Sequence, residues 1–157
     1  MQRFRLFPIN LKVALFYDWL NQWGWRITNN GYVSRSFCTN GIVKKRLMHR
    51  LIMNPKDLCP IDHINGNPLD NRRSNLRICV SAQNIQNKKS QKNNTSGCKG
   101  VYWHKGMKRW AAEIVARRVK YRLGFYHNIK DAALAYDLAA NRYHGEFART
   151  NKMLGLI

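Results

Sequence analysis

The chain has 157 residues, and its 28 Lys and Arg side chains against 8 Asp and Glu give a formal net charge of +20. Both halves are basic, so the charge predicts a polyanionic partner rather than a basic tail on a neutral enzyme. Nucleic acid, a ribosome or a membrane surface would each meet that description. No apolar run reaches membrane-spanning length, which argues against a transmembrane protein.

The four cysteines are widely spaced and form no CxxC pair, so they do not suggest a ribbon-type structural zinc site. No secretion signal is evident, and we expect a cytoplasmic setting in a bacterium or a phage-infected host cell. Residues 1–24 are expected to form an N-terminal segment that is partly disordered or helical, with a modest helix signal over Leu11–Trp23.

Three antiparallel strands are predicted between Trp25 and Met48. Their short β-branched and aromatic runs are separated by Asn29–Gly31 and Thr39–Gly41, and Asn-Gly pairs in such places are typical of hairpin turns. The basic residues of these strands face either a duplex or solvent, and they are Arg35, Lys44, Lys45 and Arg46.

The stretch from His49 to Asn84 predicts a short helix, a strand, a long polar loop, a return strand and a second helix. The first helix covers His49–Met53 and ends at Asn54-Pro55. Ser81 is a good N-cap for the second helix. This order brings four polar side chains to one cleft, namely Asp62, His63, Asn75 and Asn84.

A carboxylate, an imidazole and two amides in one cleft suit metal-assisted cleavage of a phosphodiester. A neutral His63 can take a proton from water because its ordinary pKa lies near neutral pH. Hard cations such as Mg²⁺ prefer oxygen ligands, which Asp62 and Asn84 offer. The alternative is that Asp62–Gly66 forms an Asx-type turn and that the asparagines are polar loop residues.

The runs HRLIM, DHINGNPLDNRRSNLR and SAQNIQN resemble the HNH endonucleases of the phage and intron homing branch. The resemblance covers Trp25 to Lys89, and we expect an HNH endonuclease domain at residues 25–90. It implies an α+β protein with a ββα-metal nuclease domain that cuts double-stranded DNA.

The resemblance also assigns roles to the four residues of the cleft. His63 is expected to be the general base, and Asn75 is expected to orient it. Asp62 and Asn84 are expected to bind the divalent cation, for which Mg²⁺ is the expected choice. Asn84 stands where other branches often carry His. Two further DNA contacts are expected in the loop, at Arg72 and Arg73.

The second half predicts a three-stranded antiparallel meander followed by one helix. The three runs are GVYWH, RWAAEIVA and KYRLGFY, broken at Lys105-Gly106 and Arg117-Arg118. Asn128 caps the helix and Gly145 ends it. One face of this helix should pack on the sheet, and its predicted members are Ala132, Tyr136, Ala139, Ala140 and Tyr143.

This half resembles the plant Apetala/ethylene-response-factor DNA-binding domain, through KGVYWHKGMKRWAAEI, LGFY and AALAYDLAANRYHGEFARTN. We expect that domain at residues 98–151, after a linker at 91–97 and before a tail at 152–157. The family reads bases with Arg and Trp on the outward face of its sheet, and this chain does not keep that set. The candidate DNA contacts here are Lys99, Tyr102, His104, Lys108, Arg109, Arg117, Arg118 and Arg122.

The sequence therefore predicts a metal-dependent HNH homing-type DNA endonuclease with a C-terminal DNA-binding domain. A single centre cuts one strand per engagement, so nicking is expected. The alternative is a sequence-specific DNA-binding regulator whose nuclease half is inactive, and a weaker one is an RNA- or ribosome-associated basic protein. The complete Asp-His-Asn-Asn set favours the enzyme. Neither a membrane nor an obligate protein partner is expected.

Overall fold

The computed structural model describes residues 19–20, 22–89 and 94–157. Within them the fold is mixed α/β, with three antiparallel sheets and one main helix. The helix predicted over Leu11–Trp23 lies outside the described residues except for its end, and so does the start of the linker predicted at 91–97.

The chain divides into two compact units between Val80 and Ser81. The first domain is predicted to end at residue 90, and the difference of residues 81–90 includes one short helix, α2 (Ser81–Gln86). This helix is held within the second unit, where the Lys99 ammonium donates to the carbonyls of Gln86 and Lys88 at 2.6 and 2.7 Å. The functional domain boundaries stay a prediction.

The first unit begins with the expected three-stranded sheet. Its strands are β1 (Arg26–Ile27), β2 (Val33–Thr39) and β3 (Ile42–Leu47), in that order, with β3 at an edge. Asn40 and Gly41 turn the chain between β2 and β3 with φ of 51° and 75°. Because two residues at positive φ match the twist of the paired strands, the Asn-Gly signal predicted this hairpin.

Helix α1 (Met48–Met53) follows β3 directly and ends at Asn54, whose φ is 40° and whose N–H donates to the Arg50 carbonyl. This confirms the predicted helix and its end. The core beneath it contains Leu20, Trp25, Val33, Met48, Ile52, Ile61 and Leu76.

The second sheet pairs β4 (Ile61–His63) with β5 (Leu76–Ile78), and a 3₁₀ turn, Arg73–Asn75, precedes β5. The register sets Asp62 opposite Arg77 and His63 opposite Leu76. The predicted strand, loop and return strand are therefore present.

The second unit carries the third sheet, made of β6 (Val101–His104), β7 (Arg109–Ala116) and β8 (Val119–Tyr126). These strands form the predicted antiparallel meander. A register shift between Ala112 and Glu113 bends β7 at its middle.

Helix α3 (Ile129–His144) packs on one face of this sheet and begins at Asn128, whose side chain accepts a hydrogen bond from the Lys130 N–H. The small alanine side chains at the interface let the helix lie close to the sheet. A Cβ at Gly100 would overlap the Tyr136 ring, so a side chain there is excluded. Across the described residues, we find no helix with the length and apolar character needed to span a membrane.

One predicted member of the packed face of α3 lies at its exposed margin. Tyr143 is 42% exposed, and it meets the sheet by stacking on Tyr121 of β8, with ring centroids 5.2 Å apart. Asp137 and His144 were not predicted on this face and are buried. Asp137 is buried because it accepts hydrogen bonds from the N–H of Asn151 at 2.7 Å and the N–H of Lys152 at 3.0 Å. An apolar pattern could not show this polar anchor.

Candidate functional site

Asp62 and His63 are buried at the end of β4, with 5% and 6% of their surface exposed. The Asp62 carboxylate lies opposite Arg77 in the strand pair. The Nε of Arg77 donates to Asp62 Oδ2 at 2.9 Å, and a terminal guanidinium nitrogen lies 2.8 Å from the same oxygen. A buried carboxylate is costly unless it is paired. The pair therefore holds the Asp62 carboxylate in one orientation.

The His63 imidazole lies among two other rings and one amide. Its ring centroid is 5.2 Å from that of His49 and 6.0 Å from that of Tyr32, and its Nε2 is 3.4 Å from Asn71 Oδ1. Burial lowers the pKa of His63, while the Asn71 contact and the charges of Asp62 and Asp70 act in the opposite direction. The ring is therefore neutral at neutral pH, as a proton acceptor must be.

His49 is a buried neighbour of His63 and not a surface residue. Only 5% of it is exposed, and its Nδ1 has no hydrogen-bond partner among the described residues. Burial, followed by the charges of His63 and Arg50, lowers the pKa of His49 to about 4. His49 thus packs edge-on against the His63 ring as a buried imidazole whose charged form is disfavoured.

Asn75 holds the loop that follows His63. Its backbone carbonyl accepts from the Ile64 N–H at 2.9 Å. Its side-chain oxygen accepts from the Asn65 N–H at 3.0 Å, and its amide donates to the Asp70 carbonyl at 2.8 Å. Asn75 is expected to orient the base, and its contacts are with Ile64 and Asn65, the two residues that follow His63. That role stays a prediction.

Asn71 is the residue that the sequence analysis missed. It is buried, its Oδ1 faces the His63 ring, and its amide donates to the carbonyls of Pro68 and Leu69 at 3.3 and 3.1 Å. In the sequence it is one of several asparagines in a polar loop, and only its burial in the fold distinguishes it from them.

The structure brings Asp62, His63 and Asn75 together within the first unit. Asn84 lies on α2, which belongs to the second unit, and its side chain is partly buried there. Its role as a metal ligand stays a prediction from spacing and resemblance.

Both loop arginines make contacts within the first unit. Arg72 is paired with Asp70 at 2.6 Å while half of its side chain stays exposed. Hydrogen bonds from Arg72 hold the pKa of Asp70 below its usual range. Arg73 donates to the Ile52 carbonyl at 3.1 Å. These contacts secure the loop, and an exposed part of each arginine still faces solvent.

The outward face of the third sheet carries several of the predicted DNA contacts. Tyr102 donates from its hydroxyl to Glu113 Oε1 at 2.7 Å, and Arg122 lies 3.1 Å from the same oxygen. His104 lies edge-on to Phe125 on that face, with centroids 5.1 Å apart, and it is paired across the strands with Arg109. Glu113 thus fixes two candidate side chains and partly offsets the charge of Arg122.

Three other candidates are cations at the tips of turns. Lys108, Arg117 and Arg118 are exposed, with φ of 47°, 50° and 65°. Lys99 differs, because its ammonium binds the two carbonyls at the end of α2, and burial followed by the charge of Arg149 lowers its pKa to about 8. The Lys99 ammonium is therefore engaged within the second unit, and its role as a DNA contact stays a prediction.

Comparisons with known proteins find relatives among curated proteins. No protein-family model matches the chain, and no solved structure does. The mimivirus protein of Acanthamoeba polyphaga named "Uncharacterized HNH endonuclease L560" is 28% identical over 137 residues, or 85% of this chain and 70% of that protein. The Arabidopsis thaliana ethylene-responsive transcription factor ERF069 is 36% identical over 96 residues, which is 58% of each chain.

A third relative matches with higher identity. "Protein 3.8" of Escherichia phage T7 is 37% identical over 94 residues, and the match spans 57% of this chain and 73% of the phage protein. Identity at that level across most of a relative reflects common descent. The chain therefore belongs to the family of protein 3.8 of phage T7.

Proposed function

We propose that the protein is a metal-dependent HNH DNA endonuclease of the homing type, which hydrolyses phosphodiester bonds in double-stranded DNA and nicks it. The observation that carries this proposal is the buried Asp62–His63 pair, in which each side chain has its own positioning partner. A relative named as an HNH endonuclease along 85% of the chain supports it.

In this proposal His63 removes a proton from the attacking water. Burial lowers its pKa, so the neutral form dominates at neutral pH. If Nε2–H donates to Asn71 Oδ1, the lone pair lies on Nδ1, which is then the base. Asn75 keeps the following loop in place, and we propose that it orients the base in this way.

Within the described ranges there is no group of three or more His, Cys, Asp and Glu side chains that could hold a metal. The residues present still fit a hard divalent cation, because such a cation needs fewer protein ligands. Mg²⁺ is usually held by one or two carboxylates together with waters and substrate phosphates, and the buried, oriented carboxylate of Asp62 suits that mode. We assign Asp62 and Asn84 as the residues that would hold the cation, which when bound would neutralise the phosphate and stabilise the leaving 3′ oxygen.

The second unit supplies DNA affinity in this proposal. Its outward sheet face offers Tyr102, His104 and Arg122, and the adjacent turn offers the Arg117-Arg118 pair. Phosphate contacts position a protein on DNA, and base contacts specify the sequence. The likeness to a plant transcription factor supports this division of labour between the two halves.

A second candidate function is a DNA-binding regulator with an inactive nuclease half. The observation that favours it is the ion pair between Asp62 and Arg77, since a carboxylate already balanced by a guanidinium attracts a cation less strongly. The same experiment separates the two candidates.

The test is plasmid cleavage with Mg²⁺ by the wild type, His63→Ala and His127→Ala. His127 is an exposed histidine of the second unit and serves as the matched control. Loss of a general base should slow nicking by on the order of 100-fold or more, while His127→Ala should cut like the wild type. A chelator should abolish cleavage. Equal rates for the wild type and His63→Ala would exclude the enzyme, and so would no cleavage by the wild type over a range of targets.

A further inference from the structure

The first unit carries a second feature that suits a polyanion, apart from the candidate catalytic residues. An open groove of about 1000 Å³ lies between the edge strand β3 and the segment that follows α1. Five basic side chains and one acidic side chain contribute to its lining, and they are Lys44, Lys45, Arg46, Arg50, Lys56 and Asp57. Small-molecule sites are lined mostly by apolar groups, so this composition suits an extended anion better.

The positive charge of the groove is available to a partner. Lys44, Lys45, Arg46 and Lys56 are exposed, and no ion pair among the described residues includes any of them. Lys44 and Arg46 lie two residues apart on a strand, a separation of roughly 6.6 Å on one face. Each side chain can therefore meet a different phosphate of one strand.

Arg50 adds a cation that is fixed in place. Its guanidinium donates to the carbonyl of Cys59 at 2.9 Å and to that of Asp57 at 3.2 Å. These bonds hold the positive charge against the groove wall before any partner arrives, so little ordering is needed on binding.

Protection of the sheet edge does not explain the whole cluster. Lysines on an edge strand prevent pairing with a second sheet, and Lys44 and Lys45 could serve that purpose alone. Arg50 and Lys56 come from α1 and the segment after it, yet they line the same groove. Charge gathered from two separate elements indicates a partner that contacts both.

We propose that this groove binds the phosphate backbone of double-stranded DNA, as a contact separate from the candidate catalytic residues. The inference rests on the proposed function in taking DNA as the partner. It adds DNA-backbone binding to the role of the first unit, which then both binds and cuts its substrate. Several phosphate contacts there would hold the substrate independently of the second unit.

The test measures binding of the full-length protein to a DNA duplex at several salt concentrations, with a chelator present. Each lost phosphate contact should reduce the slope of log affinity against log salt by about 0.9. Lys44→Ala/Lys56→Ala should therefore lower the slope by roughly 2 and the affinity at 0.1 M salt on the order of 50-fold. Lys44→Arg/Lys56→Arg should bind like the wild type.

The matched control is Lys130→Ala/Lys152→Ala, which removes the same charge from exposed positions of the second unit. It should leave the slope unchanged. A wild-type slope in Lys44→Ala/Lys56→Ala would overturn the proposal. Self-association of that variant with an unchanged slope would assign the lysines to edge protection and overturn it equally.

Failure of the groove and failure of the nuclease are distinguishable. If the wild type nicks plasmid DNA with Mg²⁺ and the groove variant keeps the wild-type salt slope, only the groove proposal is excluded. If the wild type cuts no DNA and the groove variant has the reduced salt slope, only the nuclease proposal is excluded.

Discussion

At the residue scale, the site depends on partners that the chain brings from a distance. Asp62 and His63 are adjacent in the sequence, but Arg77 reaches Asp62 through the pairing of β4 with β5. Asn71 reaches His63 because the loop folds back over the strand end. These partners decide whether a carboxylate and an imidazole are fixed groups or merely polar side chains in a turn.

We expect Arg77→Met to destabilise the protein by about 3 kcal/mol, because it removes the cation that balances a buried carboxylate. Asp62→Asn/Arg77→Met should recover much of that loss, since neither charge then remains. Urea unfolding of the wild type, Arg77→Met and the double variant measures the difference. A double variant less stable than Arg77→Met would show that the pair is not coupled.

At the element scale, the turn between β7 and β8 carries backbone strain. Ala116 pairs with Val119, so Arg117 and Arg118 are the two loop residues, and both have positive φ. Such a turn favours Asn-Gly, and a non-glycine residue in the left-handed region costs about 1 kcal/mol. Two arginines at this place suggest that charge at the tip matters more than stability.

Arg117→Asn/Arg118→Gly should therefore raise the free energy of unfolding by about 1–2 kcal/mol and weaken DNA binding. Arg117→Lys/Arg118→Lys is the control, because it keeps both the charge and the strain, and it should match the wild type in both respects. Thermal unfolding and duplex binding measure the two effects. Unchanged DNA affinity in the Asn-Gly variant would remove this turn from the interface.

At the scale of the whole molecule, each unit has its own core and buries at least one histidine, with His63 beside His49 in the first unit. His49 in the first unit and His144 in the second are each at most 9% exposed. Burial lowers the pKa of both, to about 4 for His49. The unfolded chain then binds more protons than the folded one as the pH falls from about 6.5 toward 4.

Stability should accordingly be fully present above pH 6.5 and decline as the pH falls through that window, by an amount on the order of 3 kcal/mol from His49. His49→Gln should reduce this dependence and leave the part that His63 and His144 contribute, whereas His127→Ala should keep it in full. Urea unfolding at a series of pH values tests the expectation. A wild-type stability that does not change between pH 7 and 4.5 would contradict it.

Local signals in the sequence predicted most of the elements. Asn-Gly turns, alternating strands and the Asn128 cap depend on neighbouring residues, and these elements formed as expected. The apolar pattern of α3 missed Asp137, because it cannot detect a polar residue that is buried through hydrogen bonds. Similarly, the sequence predicts Lys99 to be a surface cation, whereas in the fold its ammonium donates to two backbone carbonyls.

The sequence by itself determined the order of the elements, the basic character of both units and the residues that could perform phosphodiester chemistry, since these follow from composition and short-range pattern. Only the tertiary structure decided the Arg77 partner of Asp62, the Asn71 neighbour of His63 and the groove that unites Lys44 with Lys56. Those contacts join residues that are distant in the chain or alike in composition. These contacts depend on strand register and burial, and neither can be predicted from the local sequence pattern.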